Sequence, residues 1–110
     1  MAEVLNDNKL NEILHHYLEK LRGKISIEKA ILYGSYAKGY AQEHSDVDLL
    51  IISKDLQEKK TKGMNGLYLD RIVGDFDLRL EVIGIHPNKL NDSITKSFFE
   101  EIMTTGKIIC

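Results

Sequence analysis

The stretch ILYGSYAKGYAQEHSDVDLLIIS, residues 31–53, decides the fold. It opens on an apolar run that ends at Gly34, and it closes on DVDLLIIS, residues 46–53, a Leu-rich and β-branched run headed by two acids. Each run has the length of a short strand, and the near-continuous apolar character of the second marks a buried one. Between them GSYAKGYAQEHS is small, polar and glycine-containing, which fits a functional turn with room for one turn of helix. Gly34 lets backbone N–H groups approach a ligand with no Cβ in the way, and Ser35 adds a hydroxyl. A helix opening here turns its first N–H groups toward an anion, and Lys38 stands close enough to reach a phosphate as a point charge.

Asp46 and Asp48 follow eleven and thirteen positions after Ser35. On a strand, residues two apart share a face, which sets these carboxylates about 6–7 Å apart at Cα. They can converge on one divalent ion, whereas acids on adjacent residues would point to opposite faces. Hard oxygen ligands favour Mg²⁺ or Mn²⁺, and Mg²⁺ commonly completes its shell with phosphate oxygens and water. A phosphate turn and a metal dyad at neighbouring strand ends describe a nucleoside-triphosphate site.

Working outward, Leu10, Ile13, Leu14, Tyr17, Leu18 and Leu21 recur at the helical period and predict a helix over 8–22, with Asn6 to Asn8 as capping side chains and Gly23 at its end. A first strand runs from Ile25 to Tyr33, a second from Asp46 to Ser53. The charged stretch from Lys54 to Gly74 reads as a solvated helix or loop. DLRLEVIGI, residues 77–85, alternates with period two and predicts a third strand. Pro87 and Asn88 open a last helix whose inner stripe is Leu90, Ile94, Phe98, Ile102 and Met103. Gly106 closes it, and Lys107 to Cys110 supply a short edge strand. The order predicts a single α/β (α+β) domain over 1–110, with helices packed on one side of a small mixed β-sheet.

GSYAKGYAQEHSDVDLL resembles the signature of the minimal nucleotidyltransferases, within the DNA polymerase β-like nucleotidyltransferase superfamily. The matching residues are Gly34-Ser35, Lys38-Gly39 and Ser45-Asp46-Val47-Asp48, and the element order agrees over nearly the whole chain. The resemblance implies the polymerase β-like palm fold, with Asp46 and Asp48 as catalytic metal ligands and Gly34, Ser35 and Lys38 at the nucleotide. It implies a third acid on the next strand. Asp75, Asp77 and Glu81 are the candidates, and Glu81 fits best, because Val82-Ile83 and the turn at His86-Pro87 follow it as the family pattern asks. Asp77 stands second, and a Glu here departs from the commoner Asp. The implied chemistry is transfer of a nucleoside monophosphate, AMP from ATP, to an acceptor hydroxyl. Family members of this size pair with a small helical HEPN-type protein and act as its antitoxin. The alternative is a nucleotide-binding module that neutralises its partner by binding alone.

Composition narrows the field further. The chain has 110 residues, 43% hydrophobic and 29% charged, with a formal charge of −2, which excludes wholesale disorder and shows no bulk basicity for nucleic acid. Its single Cys, Cys110, can form neither an internal disulfide nor a thiolate metal cluster. No apolar run approaches a membrane span and the N-terminus does not read as a signal peptide, so the expected location is the cytoplasm. A core of this size is compatible with a partner or with self-association. His15 and His16 read as helix-surface residues, Tyr33 as core, and Tyr36, Tyr40 and His44 as neighbours of the motif.

Overall fold

The computed structural model describes residues 6–42, 45–56 and 80–109. The expectations for His44, the stretch 57–74, Asp75, Asp77 and Cys110 lie outside the described residues. Helix α1 spans Asp7–Arg22, and the Asn6 side chain caps it by accepting from the Lys9 N–H at 2.8 Å. Its buried stripe is Leu10, Leu14, Tyr17, Leu18 and Leu21, as the period predicts.

Strand β1 (Lys29–Tyr33) leads through a single helical turn, α2 (Ser35–Lys38), toward β2 (Val47–Ile52). These two strands are antiparallel, with Tyr33 opposite Asp48. Strand β3 (Leu80–Ile85) lies parallel to β2, with Asp48 opposite Glu81. A short β4 (Lys107–Ile108) completes the sheet antiparallel to β1, in the order β3-β2-β1-β4. The mixed α/β class and the late edge strand agree with the sequence reading.

The sidedness does not. Ala30, Leu32, Val47, Leu49 and Ile51 pack under α1, while Ile31, Leu50, Ile52 and Ile85 pack with Phe99 and Ile102 of a helix on the opposite face. Helices therefore cover both faces, not one. The physical reason is written in β2, where five of the six residues of VDLLII are apolar. A strand apolar on both faces leaves neither free to meet water.

The last helix also departs from expectation. Pro87–Asn91 form a 3₁₀ turn, and α3 begins only at Lys96, running to Thr105. Asp92 interrupts the helix: its carboxylate accepts from the Lys89 ammonium at 2.8 Å and from the Ile94 N–H at 2.9 Å, with its own backbone extended. The break shifts the helical phase. Phe99 takes the core position at 1% exposure, while Phe98 and Ile94, expected inside, stand 43% and 89% exposed.

Gly106 joins α3 to β4 at a close backbone approach. A Cβ there would lie 2.6 Å from both the Ile102 carbonyl oxygen and Ile31 Cγ2, and 2.9 Å from the Leu32 carbonyl oxygen. Two of these neighbours are backbone and cannot swing away. Gly106→Ala is expected to destabilise the fold by about 1–3 kcal/mol, the usual range for overpacking, read as a lower urea midpoint at unchanged slope.

Candidate active site at the end of β1, β2 and β3

Tyr33 ends β1, and the chain turns at Gly34 with φ 76° and ψ −154°. This backbone region is essentially reserved for glycine. The Gly34 carbonyl then accepts from the Ala37 and Lys38 N–H groups at 3.1 and 3.0 Å, forming α2. Gly39, at φ 86°, ends the turn. Tyr36 is buried in the α1-side core and pins the turn from below, whereas Tyr40 is 61% exposed.

Gly34 is pressed against Asp48, so closely that a Cβ on it would overlap the Asp48 carboxylate. That contact brings the Gly-Ser turn and the first residues of β2 together. Asp46 lies exposed just before β2, Asp48 is half-buried as its second residue, and Glu81 is exposed as the second residue of β3. Because Asp48 and Glu81 are direct partners in a parallel pair, their side chains leave the same face of the sheet. Tyr33, opposite Asp48 on the other side, joins that row.

The electrostatics follow from this placement. Burial pushes the Asp48 carboxyl up to about 6, and the negative charges of Glu81 and then Asp46 push in the same direction. Burial, with Asp48 and Glu81 nearby, pushes the Tyr33 hydroxyl up to about 12. Three carboxylates and a phenol thus share one field, and among the described residues no cation contributes to the Asp48 shift. Among the described residues no three acids, His or Cys close around a single point in metal-holding geometry. The donor chemistry nonetheless fits a hard divalent ion: the oxygens are carboxylate, and the positive charge of such an ion would offset both the burial and the repulsion that raise Asp48.

Lys38 lies at the end of α2, and its ammonium is 3.8 Å from Glu101 Oε1 on α3. Of the residues singled out from sequence, Gly34, Asp48 and Glu81 are brought together directly, with Asp46 close enough to affect Asp48. Ser35 and Lys38 stand on the adjoining turn. Tyr33 reads as core from its apolar run but is half-buried at the acids. Phe98, also expected inside, meets Tyr33 edge-on with ring centres 6.4 Å apart. Only the pairing of β1 with β2 and the phase of α3 disclose these two, and neither is local in sequence.

The mixed four-stranded sheet with a Gly-Ser turn beside its second strand is shared with a solved structure described as a putative nucleotidyltransferase from Sulfolobus solfataricus, at a TM-score of 0.59 and 16% identity, covering 88% of this chain and 76% of that one. The family described as polymerase beta, nucleotidyltransferase, matches residues 8–110. "Putative protein adenylyltransferase MJ1305" from Methanocaldococcus jannaschii is 33% identical, over 96% of this chain and 74% of that protein. The protein adenylyltransferase MntA from Thermococcus cleftensis is 25% identical, over 91% of this chain and 96% of its own length. A solved structure described as a toxin-antitoxin with AMP-PNP shares the fold at a TM-score of 0.57 and 18% identity, covering 87% of this chain and 71% of that one. The chain belongs to the polymerase beta nucleotidyltransferase family. Among the described residues no helix is long and apolar enough to cross a membrane.

Proposed function

We propose that the chain transfers AMP from ATP to a hydroxyl on a partner protein, a small helical protein of the HEPN type that it holds in check as an antitoxin. The carrying observation is the pairing of Asp48 with Glu81 across β2 and β3, beside the Gly34 turn. The relatives named as protein adenylyltransferases support AMP as the transferred group and protein as the acceptor. The toxin-antitoxin likeness supports a paired protein. The expected place of this activity is the cytoplasm.

In this reading Asp46, Asp48 and Glu81 hold Mg²⁺ or Mn²⁺, which when bound supplies positive charge to the triphosphate and to the developing oxyanions. Gly34 and Ser35 hold the β- and γ-phosphates through backbone N–H groups and the hydroxyl, and Lys38 contributes its charge from the end of α2. Glu81, exposed beside Asp48, orients the acceptor hydroxyl and takes its proton. The acceptor oxygen bonds to the α-phosphorus as the bond to the bridging oxygen breaks, and pyrophosphate leaves with that electron pair.

A second reading, binding without turnover, is favoured by one feature, the Glu at the third acidic position. Incubation with ATP labelled at the α-phosphate and Mg²⁺ in host lysate separates the two. The expected result is a labelled protein band with wild type and none with Asp48→Asn. Labelled RNA would move the acceptor to nucleic acid. No label with any of the four nucleoside triphosphates, from a folded protein, would favour the binding module.

A further inference from the structure

Phe98 presents a half-open aromatic ring against Tyr33, the cross-strand neighbour of Asp48, and we infer that it is the platform on which the nucleobase of the bound triphosphate stacks. The inference rests on the nucleotidyl-transfer reading. Two independent contacts orient α3. Phe98 meets Tyr33, whose partner across the strands is Asp48, with ring planes at 88°. One helical turn further along, Glu101 reaches Lys38 on α2. Residues three apart share a helix face, so the face of α3 that carries Phe98 and Glu101 looks toward the acids and the Gly-Ser turn.

Phe98 is held from behind by Phe99, with ring centres 5.3 Å apart, and is braced at its edge by Tyr33, yet it keeps 43% of its surface open. Its contacts with Tyr33 and Phe99 fix the ring in place, and its open surface lies next to Tyr33, the cross-strand partner of Asp48. The flat, uncharged ring of a base covers it without bringing another negative charge to Asp48 and Glu81. Stacking on an aromatic face is tolerant of base identity. The platform therefore contributes affinity for nucleoside triphosphates as a class and only a modest preference for the larger purines.

The test compares binding of ATP and of inorganic tripolyphosphate, both with Mg²⁺, by calorimetry on wild type, Phe98→Ala, Phe98→Leu and Phe98→Trp. Stacking on one aromatic side chain predicts that Phe98→Ala weakens ATP by about tenfold. Tripolyphosphate, which has no base, binds all four proteins alike. Phe98→Trp restores ATP affinity and Phe98→Leu, which keeps bulk without a π face, does not. Melting curves of the variants identify any that lose the fold, and Phe98→Trp against Phe98→Leu carries the comparison if Phe98→Ala does. Equal weakening of ATP and tripolyphosphate, or ATP binding indifferent to residue 98, overturns the platform. ATP affinity unchanged with a raised KM for the protein acceptor overturns it too and assigns the ring to the acceptor. Wild type that binds neither ligand overturns the nucleotidyl-transfer reading itself.

Discussion

Asp48→Asn is expected to abolish transfer while making the cation-free protein more stable. The carboxylate is half-buried, its pKa is about 6 in the folded chain, and Glu81 and Asp46 repel it. The unfolded chain titrates near the ordinary value of 3.8, so between about pH 4 and 6 the folded state binds the proton more tightly than the unfolded one. Stability from this group therefore falls as pH rises through that window and stays low above it. An amide of the same shape removes the penalty. Discounted for the solvent that still reaches the group, the gain at pH 7.5 is about 1 kcal/mol, or a few degrees in melting temperature. In the proposed mechanism the same change also removes a carboxylate that would hold the metal, and the loss of transfer should be at least about a hundredfold. Thermal melts from pH 4 to 8 check the first part and labelled-ATP turnover the second. A variant that melts below wild type at pH 7.5, or that keeps the wild-type slope between pH 4 and 6, would contradict the account of Asp48. Added Mg²⁺ should raise the melting temperature of wild type and leave the variant nearly unmoved.

Gly34→Ala is expected to damage stability and activity together. Its backbone lies at φ 76° and ψ −154°, where a Cβ costs on the order of 1–3 kcal/mol in strain alone. The Cβ would also overlap the Asp48 carboxylate, so that carboxylate must turn away from its present position. The combined expectation is a melting temperature lowered by about 5–15 °C for a chain of this length and transfer reduced to the level of Asp48→Asn. Gly39→Ala is the informative control. It shares the positive φ, at 86°, but its Cβ would have nothing within 4 Å. It should lose about 1 kcal/mol and retain most of its activity. Equal activity loss in both variants would mean that turn strain, and not the contact with Asp48, accounts for the effect.

Much of the molecule is legible in the chain because its signals are local. The stripe from Leu10 to Leu21 is a property of one helix, and the buried character of residues 47–52 is a property of one strand. Gly34-Ser35 and Asp46-x-Asp48 lie within fifteen residues, so their spacing survives whatever the rest of the fold does. Even the preference for Glu81 rests on the short apolar run that follows it. In the sheet Glu81 is the direct partner of Asp48.

What escaped the sequence reading is what depends on long-range partners. The apolar run of β2 implied a buried strand, but only the placement of α1 and α3 on opposite sides of the sheet shows how both its faces are covered. The inner stripe of the last helix was misphased because Asp92 finds Lys89 and the Ile94 N–H, and this break exchanges the roles of Phe98 and Phe99. Tyr33 becomes a neighbour of the acids only through the register of β1 on β2. The sequence by itself determined the family and the strand-turn-strand core, and it singled out Asp46 and Asp48 as candidate acids, since each is encoded by residues close together in the chain. The tertiary structure alone decided the two-sided cover, the electrostatic coupling of the three acids and the aromatic ring beside them, because these arise where strands and helices distant in sequence meet.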